Sequence, residues 1–443
     1  MKTKNIIVKI HSSDDFQYAE DQQEDVLEIQ LDHTDVNRMV KENILRDLSH
    51  SGLVPNNVIY DLLNFALAIY TIDQVVSRKN NGFQGWSRYF IVNFPVQDFE
   101  IWDAVSEEFN KYLSFLSGDK WEFVFRQSEE IRDFVLPENR NPNGITKVSL
   151  LSGGLDSFIG AIDLLSNGEI PFFVSHHKTS ESKIQDKVLG ALKAQFGNTS
   201  FKSQKFWVQP NQKNSTAEKE NSSRARSFLF ITLGVAVANS IDDGIQMVLP
   251  ENGLISLNIP LTKSRFSSHS TRTTHPFFVD GLNSIFEKLG INNKIENPYR
   301  FKTKGEMILQ CEDIDFLKEH IAITMSCSHP ENGRFLGREP LNCGYCVPCI
   351  IRQASEYQTG EIFTSYAIGD VRESVPSQKY KKGSDYRAFK IGLEKLSDIN
   401  NEHSLALQII RSGPIPYSTL NELNEYISVY QRGMSEVEQF LNS

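Results

Sequence analysis

The sequence predicts an α/β protein whose central domain is a doubly wound parallel sheet, preceded by a smaller α+β domain and followed by helices. Three observations carry that prediction. From Ile145 onward, apolar strand-like runs alternate with helix-like runs several times in succession. The first of those strands enters a helix through a glycine turn, K-V-S-L-L-S-G-G-L-D-S, Lys147 to Ser157. After residue 374 the pattern changes to charged, helically periodic sequence.

Taken in order, N-I-I-V-K-I and D-V-L-E-I-Q-L read as strands and Val58 to Val75 as a helix. R-Y-F-I-V-N-F-P-V reads as a strand, Phe99 to Leu116 as a helix and W-E-F-V-F-R-Q as a further strand. The turn-rich L-P-E-N-R-N-P-N-G, Leu136 to Gly144, marks a boundary, so residues 1–143 are expected to form an α+β domain of their own. No catalytic motif is recognisable in it. Residues 144–374 carry the core domain. Its strands K-V-S-L-L, I-P-F-F-V-S-H-H, K-F-W-V-Q and I-Q-M-V-L-P-E-N are separated by three helices. These follow the glycine turn directly, then occupy S-K-I-Q-D-K-V-L-G-A-L-K-A-Q-F and R-A-R-S-F-L-F-I-T-L-G-V-A-V-A-N-S. Such apolar strands belong in a parallel sheet covered on both faces, whose ligands sit at the carboxyl ends of the strands. Residues 375–443 are expected to be a helical cap on that core.

A chain of 443 residues has room for two or three domains with substantial cores. The formal net charge of -10 gives no broad attraction to nucleic acid or an anionic membrane. Small molecules and proteins are therefore the expected partners. The N-terminal M-K-T-K-N-I-I-V-K-I-H-S-S-D-D has too few apolar residues for a signal-peptide core. The longest apolar run, Phe228 to Ala238, is about half of a bilayer span. A cytoplasmic protein is expected, and in that reducing compartment five cysteines suggest metal or reactive thiols before disulfides.

A glycine pair between strand and helix lets backbone N–H groups converge on one anion, to which the helix N-terminus adds partial positive charge. This is phosphate chemistry. Two common phosphate loops are excluded: there is no lysine of the G-x-x-x-x-G-K-[ST] type, and Gly153, Gly154 and Gly160 do not fit G-x-G-x-x-G. The bland alternative is a glycine turn with a serine or aspartate helix cap. Further on, Cys343, Cys346 and Cys349 form a C-x-x-C-x-x-C run, and Cys327 can supply a fourth thiolate across a loop. Four cysteines suit a closed structural zinc site; an iron–sulfur cluster is the rival, although the next cysteine of the ferredoxin pattern is missing. Cys311 stands apart and reads as a core residue.

The pattern S-G-G-x-D-S, Ser152 to Ser157, resembles the PP-loop of the ATP pyrophosphatases, which cleave ATP between its α and β phosphates. Together with C…C-G-x-C-x-x-C near the end of the core it resembles the QueC family, the 7-cyano-7-deazaguanine synthases. R-A-R-S before the apolar helix resembles that family's arginine stretch and would bring Arg226 and Ser227 to the cleft. F-K-T-K-G-E-M resembles its lysine segment, with Lys302, Lys304 and Glu306 nearby. The likeness covers roughly residues 145–360. The longer layout, with L-P-E-N-G-L-I-S-L-N-I-P-L-T and S-H-S-T-R-T-T-H-P-F-F, looks like the QueC-like proteins of bacterial antiphage operons. Those two stretches depart from the Y-P-D-C-R-P-E-F type sequence of QueC itself, so the resemblance leaves substrate handling open.

The resemblance implies an adenine nucleotide alpha hydrolase fold of the HUP type and an ATP-dependent carbon–nitrogen ligase. Leu151, Ser152, Gly153, Gly154, Leu155, Asp156 and Ser157 would hold ATP and its departing pyrophosphate, with Asp156 on Mg2+. His176 and His177 would lie where the fold receives adenine. Catalysis would fall to Asp156, Ser157, Arg226 and Lys304. Arg226, Ser227, Arg272 and His275 would meet the substrate carboxylate or α-phosphate, unless His275 simply caps the turn before Pro276. The substrate implied is 7-carboxy-7-deazaguanine or a related deazapurine, and the acceptor an amine of a partner protein docked on the N-terminal domain. A stand-alone nitrile synthase using ammonia is one alternative and a non-catalytic nucleotide-binding scaffold another. The acidic balance argues against tRNA-modifying PP-loop enzymes, and a thiolase would need Cys311 as a second reactive cysteine. A homo-oligomer is left open.

Overall fold

The computed structural model describes residues 3–18, 26–129, 132, 134–177, 181–211, 220, 222–261, 272–330, 339–373, 383–398 and 402–443. Most of S-H-S-T-R, at 268–271, lies outside them. The first part of the chain runs β1 (Thr3–Lys9), β2 (Val26–Gln30), β3 (Val40–Glu42), α1 (Ile44–His50), α2 (Asn57–Val75), α3 (Arg78–Asn81), β4 (Tyr89–Val96), α4 (Phe99–Asp103), α5 (Ser106–Ser117) and β5 (Lys120–Gln127). The expected single helix from Phe99 to Leu116 is interrupted at Ala104 and Val105, and Trp102 and Phe109 from its two halves stack at 5.8 Å inside the core.

Four of these strands form a sheet in the order β2-β1-β4-β5, with every pair parallel. This corrects the expectation of an α+β segment. The connections carry helices, α1 to α3 before β4 and α4 with α5 before β5, and crossovers of that length return a strand parallel to its predecessor.

The second sheet is built from β6 (Lys147–Leu150), β7 (Pro171–His177), β8 (Lys202–Pro210), β9 (Gln246–Val248) and β10 (Ile295–Glu296). Between them lie α6 (Leu155–Ser166), α7 (Ser182–Phe196), α8 (Arg226–Ile241), α9 (Gly253–Leu257) and α10 (Pro276–Lys288). The order is β10-β9-β6-β7-β8-β3, parallel except for β3, which joins β8 antiparallel through Val40 opposite Pro210. A three-residue strand from the N-terminal segment thus closes an edge of the core sheet.

Alternate residues face opposite sides of this sheet, as the period of two requires. Val148, Leu150, Phe172 and Val174 pack with α8 and α2 in one buried cluster that continues into the first sheet through Ile6 and Phe90. Leu151 and Phe173 pack with α6 and α7 in another. Both faces are therefore covered, which is why the strands read as apolar runs. The helix α2, long and apolar enough to cross a membrane, is 83% buried inside the protein over its most apolar window, so core packing accounts for its composition.

Beyond β10 come α11 (Lys304–Leu309) and α12 (Ile314–His320), a helix carrying the cysteines (Val347–Tyr357), and the helices Ser384–Ser397, Glu402–Ile410 and Leu420–Asn442. The last four share an apolar core with Leu254, Leu257 and Leu261 around α9.

The sheet order places the glycine turn. From β6 the chain proceeds to β7 and β8 on one side, then returns to place β9 and β10 on the other. The carboxyl ends of β6 and β9 are therefore the topological switch point, where a crevice opens in sheets of this kind.

Candidate functional site

The turn after β6 is shaped by Gly153, whose φ of +85° is left-handed and strained for any other residue. A Cβ there would also meet Ile184 Cγ2 at 3.2 Å and Gln185 Cγ at 3.3 Å. Gly154 is the N-cap of α6. Its N–H donates to Ser152 Oγ at 3.2 Å, and Ser157 Oγ donates to the Gly154 carbonyl at 3.0 Å while lying 3.1 Å from Ser152 Oγ. Leu151 and Leu155 are fully buried in the apolar cluster beneath, so the backbone is what they offer a ligand. Two hydroxyls thus stand beside the first N–H groups of a twelve-residue helix, an arrangement that favours an anion.

Asp156, the second residue of α6, is engaged in a buried cluster. Its Oδ1 is ion-paired with Lys304, and its Oδ2 accepts from the Asn252 N–H at 3.1 Å and from Asn252 Nδ2 at 2.7 Å. Asn252 belongs to the loop after β9 and caps α9 through Oδ1 to the Ile255 N–H at 3.0 Å. Burial pushes the Asp156 carboxyl up, but the Lys304 ammonium and the hydrogen bonds outweigh it and hold the group below the usual range. Its neighbour Glu251 is pushed well above the usual range, by burial first and by the Asp156 charge second. The two acids are thus driven in opposite directions, the Lys304 ammonium favouring charge on Asp156 and that charge disfavouring it on Glu251.

Lys304 is positioned from the far end of the chain. It opens α11, whose N-terminus is closed by a capping box between Thr303 and Glu306. The helix Leu420–Asn442 adds two holds: Arg432 Nε donates to Glu306 Oε1 at 2.6 Å, and Glu436 accepts from the Gly305 N–H at 3.3 Å and from the Thr303 hydroxyl. Lys302, the other lysine of that segment, lies 5.7 Å over the Tyr299 ring.

His176 and His177 end β7. His176 is buried, accepts from Arg226 Nε at 3.3 Å through Nδ1 and meets the Tyr70 ring edge-on at 5.8 Å. Arg226, at the start of α8, is held bidentately by Glu181, with Nη1 to Oε1 at 2.9 Å. It also donates to the His176 carbonyl at 3.0 Å. Ser227 beside it is buried. The His177 imidazole is pushed down by burial and by the Lys205 charge.

Arg272 and His275 make their contacts elsewhere. Arg272 donates to the Phe115 carbonyl at 2.8 Å and lies 4.4 Å over the Phe115 ring. His275 is the N-cap of α10: Nδ1 accepts from the Phe277 N–H at 3.2 Å and Nε2 lies 3.1 Å from Ser412 Oγ. Of the two roles open to it, it performs the cap. Burial, with help from Arg272, pushes its pKa down to about 3 from 6.5. The unfolded chain therefore binds this proton between pH 6.5 and 3 and the folded chain does not, so stability is lost as pH falls through that window. At about 1.4 kcal/mol per pH unit, wild type should lose roughly 2 kcal/mol from this group between pH 6.5 and 5. His275→Asn keeps a capping side chain. Urea unfolding at the two pH values should show the variant losing less stability by that amount.

The four cysteines come together. All four Sγ atoms lie within 4.8 Å of one another, with Cys327 to Cys346 and Cys343 to Cys349 both 3.9 Å apart. A tetrahedral zinc with Zn–S bonds of about 2.3 Å requires sulfur–sulfur edges of about 3.8 Å, so the thiolates fit a metal of that kind. Gly344 takes φ +88° between the first two ligands of the run, and N–H groups of His329, Cys343 and Cys346 point at the sulfurs from 3.2 to 3.4 Å. Cys311 lies outside the cluster, and burial beside Asp163 pushes its thiol up to about 12, which makes it a poor nucleophile.

Three residues of the site carry no signal of their own in the sequence. Glu251 and Asn252 end an ordinary strand, although a polar pair after an apolar strand on the switch side is the cue that would have found them. Glu181, which occupies Arg226, follows residues 178–180, which lie outside the described ones. Neither a protein-family model nor a curated protein matches the chain.

Proposed function

We propose that the chain is an ATP-dependent carbon–nitrogen ligase of the PP-loop type. It adenylates the carboxylate of 7-carboxy-7-deazaguanine or a related deazapurine and passes the acyl group to an amine of a partner protein, as a QueC-like component of an antiphage system such as Qat. The observation that carries this reading is the S-G-G-x-D-S turn at the switch point of a parallel sheet, with Ser152, Ser157 and the turn amides gathered within hydrogen-bond distance of one another.

A substrate carboxylate oxygen attacks the α-phosphorus of ATP, an acyl–phosphate bond forms, and the bond to the β-phosphate oxygen breaks. Pyrophosphate then leaves into the turn, where hydroxyl and amide donors meet its growing charge. An amine next attacks the acyl carbon, loses a proton and displaces AMP. Arg226 is held by Glu181 in a bidentate carboxylate geometry, so a substrate carboxylate or α-phosphate can exchange with Glu181 on the same guanidinium.

The carboxylates that would hold Mg2+ are Asp156, whose Oδ1 is paired with Lys304, and its neighbour Glu251. With Mg2+ bound there, its charge would offset that of the leaving pyrophosphate. Zinc would be held by Cys327, Cys343, Cys346 and Cys349 as a structural ion.

The test is to incubate the protein with ATP, Mg2+, the carboxy-deazaguanine and the products of neighbouring genes. AMP, pyrophosphate and a partner protein heavier by the acyl group are expected. Free nitrile without a mass gain would establish the small-molecule synthase instead, and nucleotide binding without turnover would establish the scaffold.

A further inference from the structure

The segment leading into the cysteine cluster touches the phosphate turn directly. Met325 N–H donates to the Gly153 carbonyl at 2.9 Å, and Ser326 Oγ accepts from the Leu155 N–H at 3.2 Å. Leu155 is the first residue of α6, and its N–H is one of the donors a helix start leaves for a ligand. A Cβ on Gly154 would lie 3.5 Å from the Met325 carbonyl and 3.7 Å from Ser326 Oγ, so the segment lies flat against the turn.

The same segment is pinned from the metal side. Ser326 precedes Cys327, and its N–H donates to Asn342 Oδ1 at 3.3 Å; Asn342 precedes Cys343 and donates through Nδ2 to the Thr324 carbonyl at 3.4 Å. Arg352, fully buried on the cysteine helix and paired with Glu356, donates to the Thr324 carbonyl at 3.1 Å and to the Ile321 carbonyl at 2.7 Å. Two ligands of the cluster are thus each one residue from a group that fixes Ser326.

We propose that Ser326 is a third hydroxyl of the anion site, supplied by the metal-binding segment and held in place by it. In the structure its oxygen accepts the Leu155 N–H. When pyrophosphate arrives, a phosphate oxygen takes that N–H and the serine hydroxyl turns to donate to the same anion. This rests on the pyrophosphate reading of the turn and adds a residue to it from outside the S-G-G-x-D-S pattern. It also gives the four-cysteine cluster a task beyond holding the fold: Asn342 and Cys327 set where Ser326 stands, so the metal site and the anion site are mechanically joined.

The experiment titrates inorganic pyrophosphate with Mg2+ into the metal-loaded full chain by calorimetry. The variants are Ser326→Ala, Ser326→Thr, Asn342→Ala and the Ser326→Ala/Asn342→Ala double, each checked for metal content and thermal unfolding. A lost hydrogen bond to a charged group corresponds to a roughly tenfold or greater loss of affinity. That loss is expected for Ser326→Ala, with Ser326→Thr restored to near wild type. Asn342→Ala should weaken binding in the wild-type background and add little to Ser326→Ala. No pyrophosphate binding by wild type would overturn the pyrophosphate reading itself. Binding by wild type that is unchanged in Ser326→Ala would overturn only the role of Ser326. Losses that multiply in the double variant would overturn the link to the metal segment.

Discussion

Lys304→Ala should lower substrate-dependent pyrophosphate release by a hundredfold or more and destabilise the fold by about 3–5 kcal/mol. The two effects have separate causes. Lys304 is the cation paired with Asp156, and both side chains are buried. Removing it leaves the Asp156 carboxylate in a low-dielectric pocket without its cation, with Asn252 and the Glu251 carboxyl as its remaining partners. The double variant Asp156→Asn/Lys304→Met removes both charges and keeps volume, so most of the stability should return while turnover stays lost. Measuring denaturant midpoints beside pyrophosphate release on the single and double variants separates the structural loss from the chemical one. If the double variant regains turnover, the pair serves packing alone.

Cys327→Ser should reduce the bound metal well below one ion per chain and lower the unfolding temperature on the order of 10 °C. Cys327 closes the cluster from across the loop, and its sulfur receives the N–H groups of His329 and Cys343, so its loss opens the site and frees the chain on both sides. Metal analysis and a thermal scan check this. Zinc without iron in the wild type is the expected composition. Cys311→Ser is the internal control and should leave metal content unchanged, because that thiol lies outside the cluster.

The features legible in the sequence were those that repeat or that obey a fixed spacing. Apolar strands alternating with helices marked the parallel sheet, and the period of two in Val148, Leu150, Phe172 and Val174 is the residue-level form of that signal. The spacing of Cys343, Cys346 and Cys349 marked the cluster because three thiols so close along a chain are held close in space. What stayed hidden was long-range. A three-residue strand such as β3 carries almost no pattern, so its place beside β8 follows only from tertiary packing. The parallel order of the first sheet depended on crossovers whose direction a strand pattern does not encode. Glu251 and Ser326 acquire roles from what the fold sets beside them, Asp156 in one case and the Leu155 N–H in the other. His275 illustrates the reverse: an attractive side chain in a divergent stretch whose Nδ1 caps α10 and whose Nε2 lies against Ser412 Oγ.

The helix Leu420–Asn442 bears on how this architecture could have been assembled over evolutionary time. Arg432 and Glu436 grip the segment from which Lys304 projects, and Gly305 leaves room for Glu436 that a Cβ would fill at 2.5 Å. An ancestor acquiring such a terminal helix would have come under selection at both ends of the contact together. Swapping it between relatives without its matching Thr303–Glu306 stretch would misplace the lysine even though every recognisable motif were retained. Modularity in this chain thus ends where Arg432 and Glu436 begin.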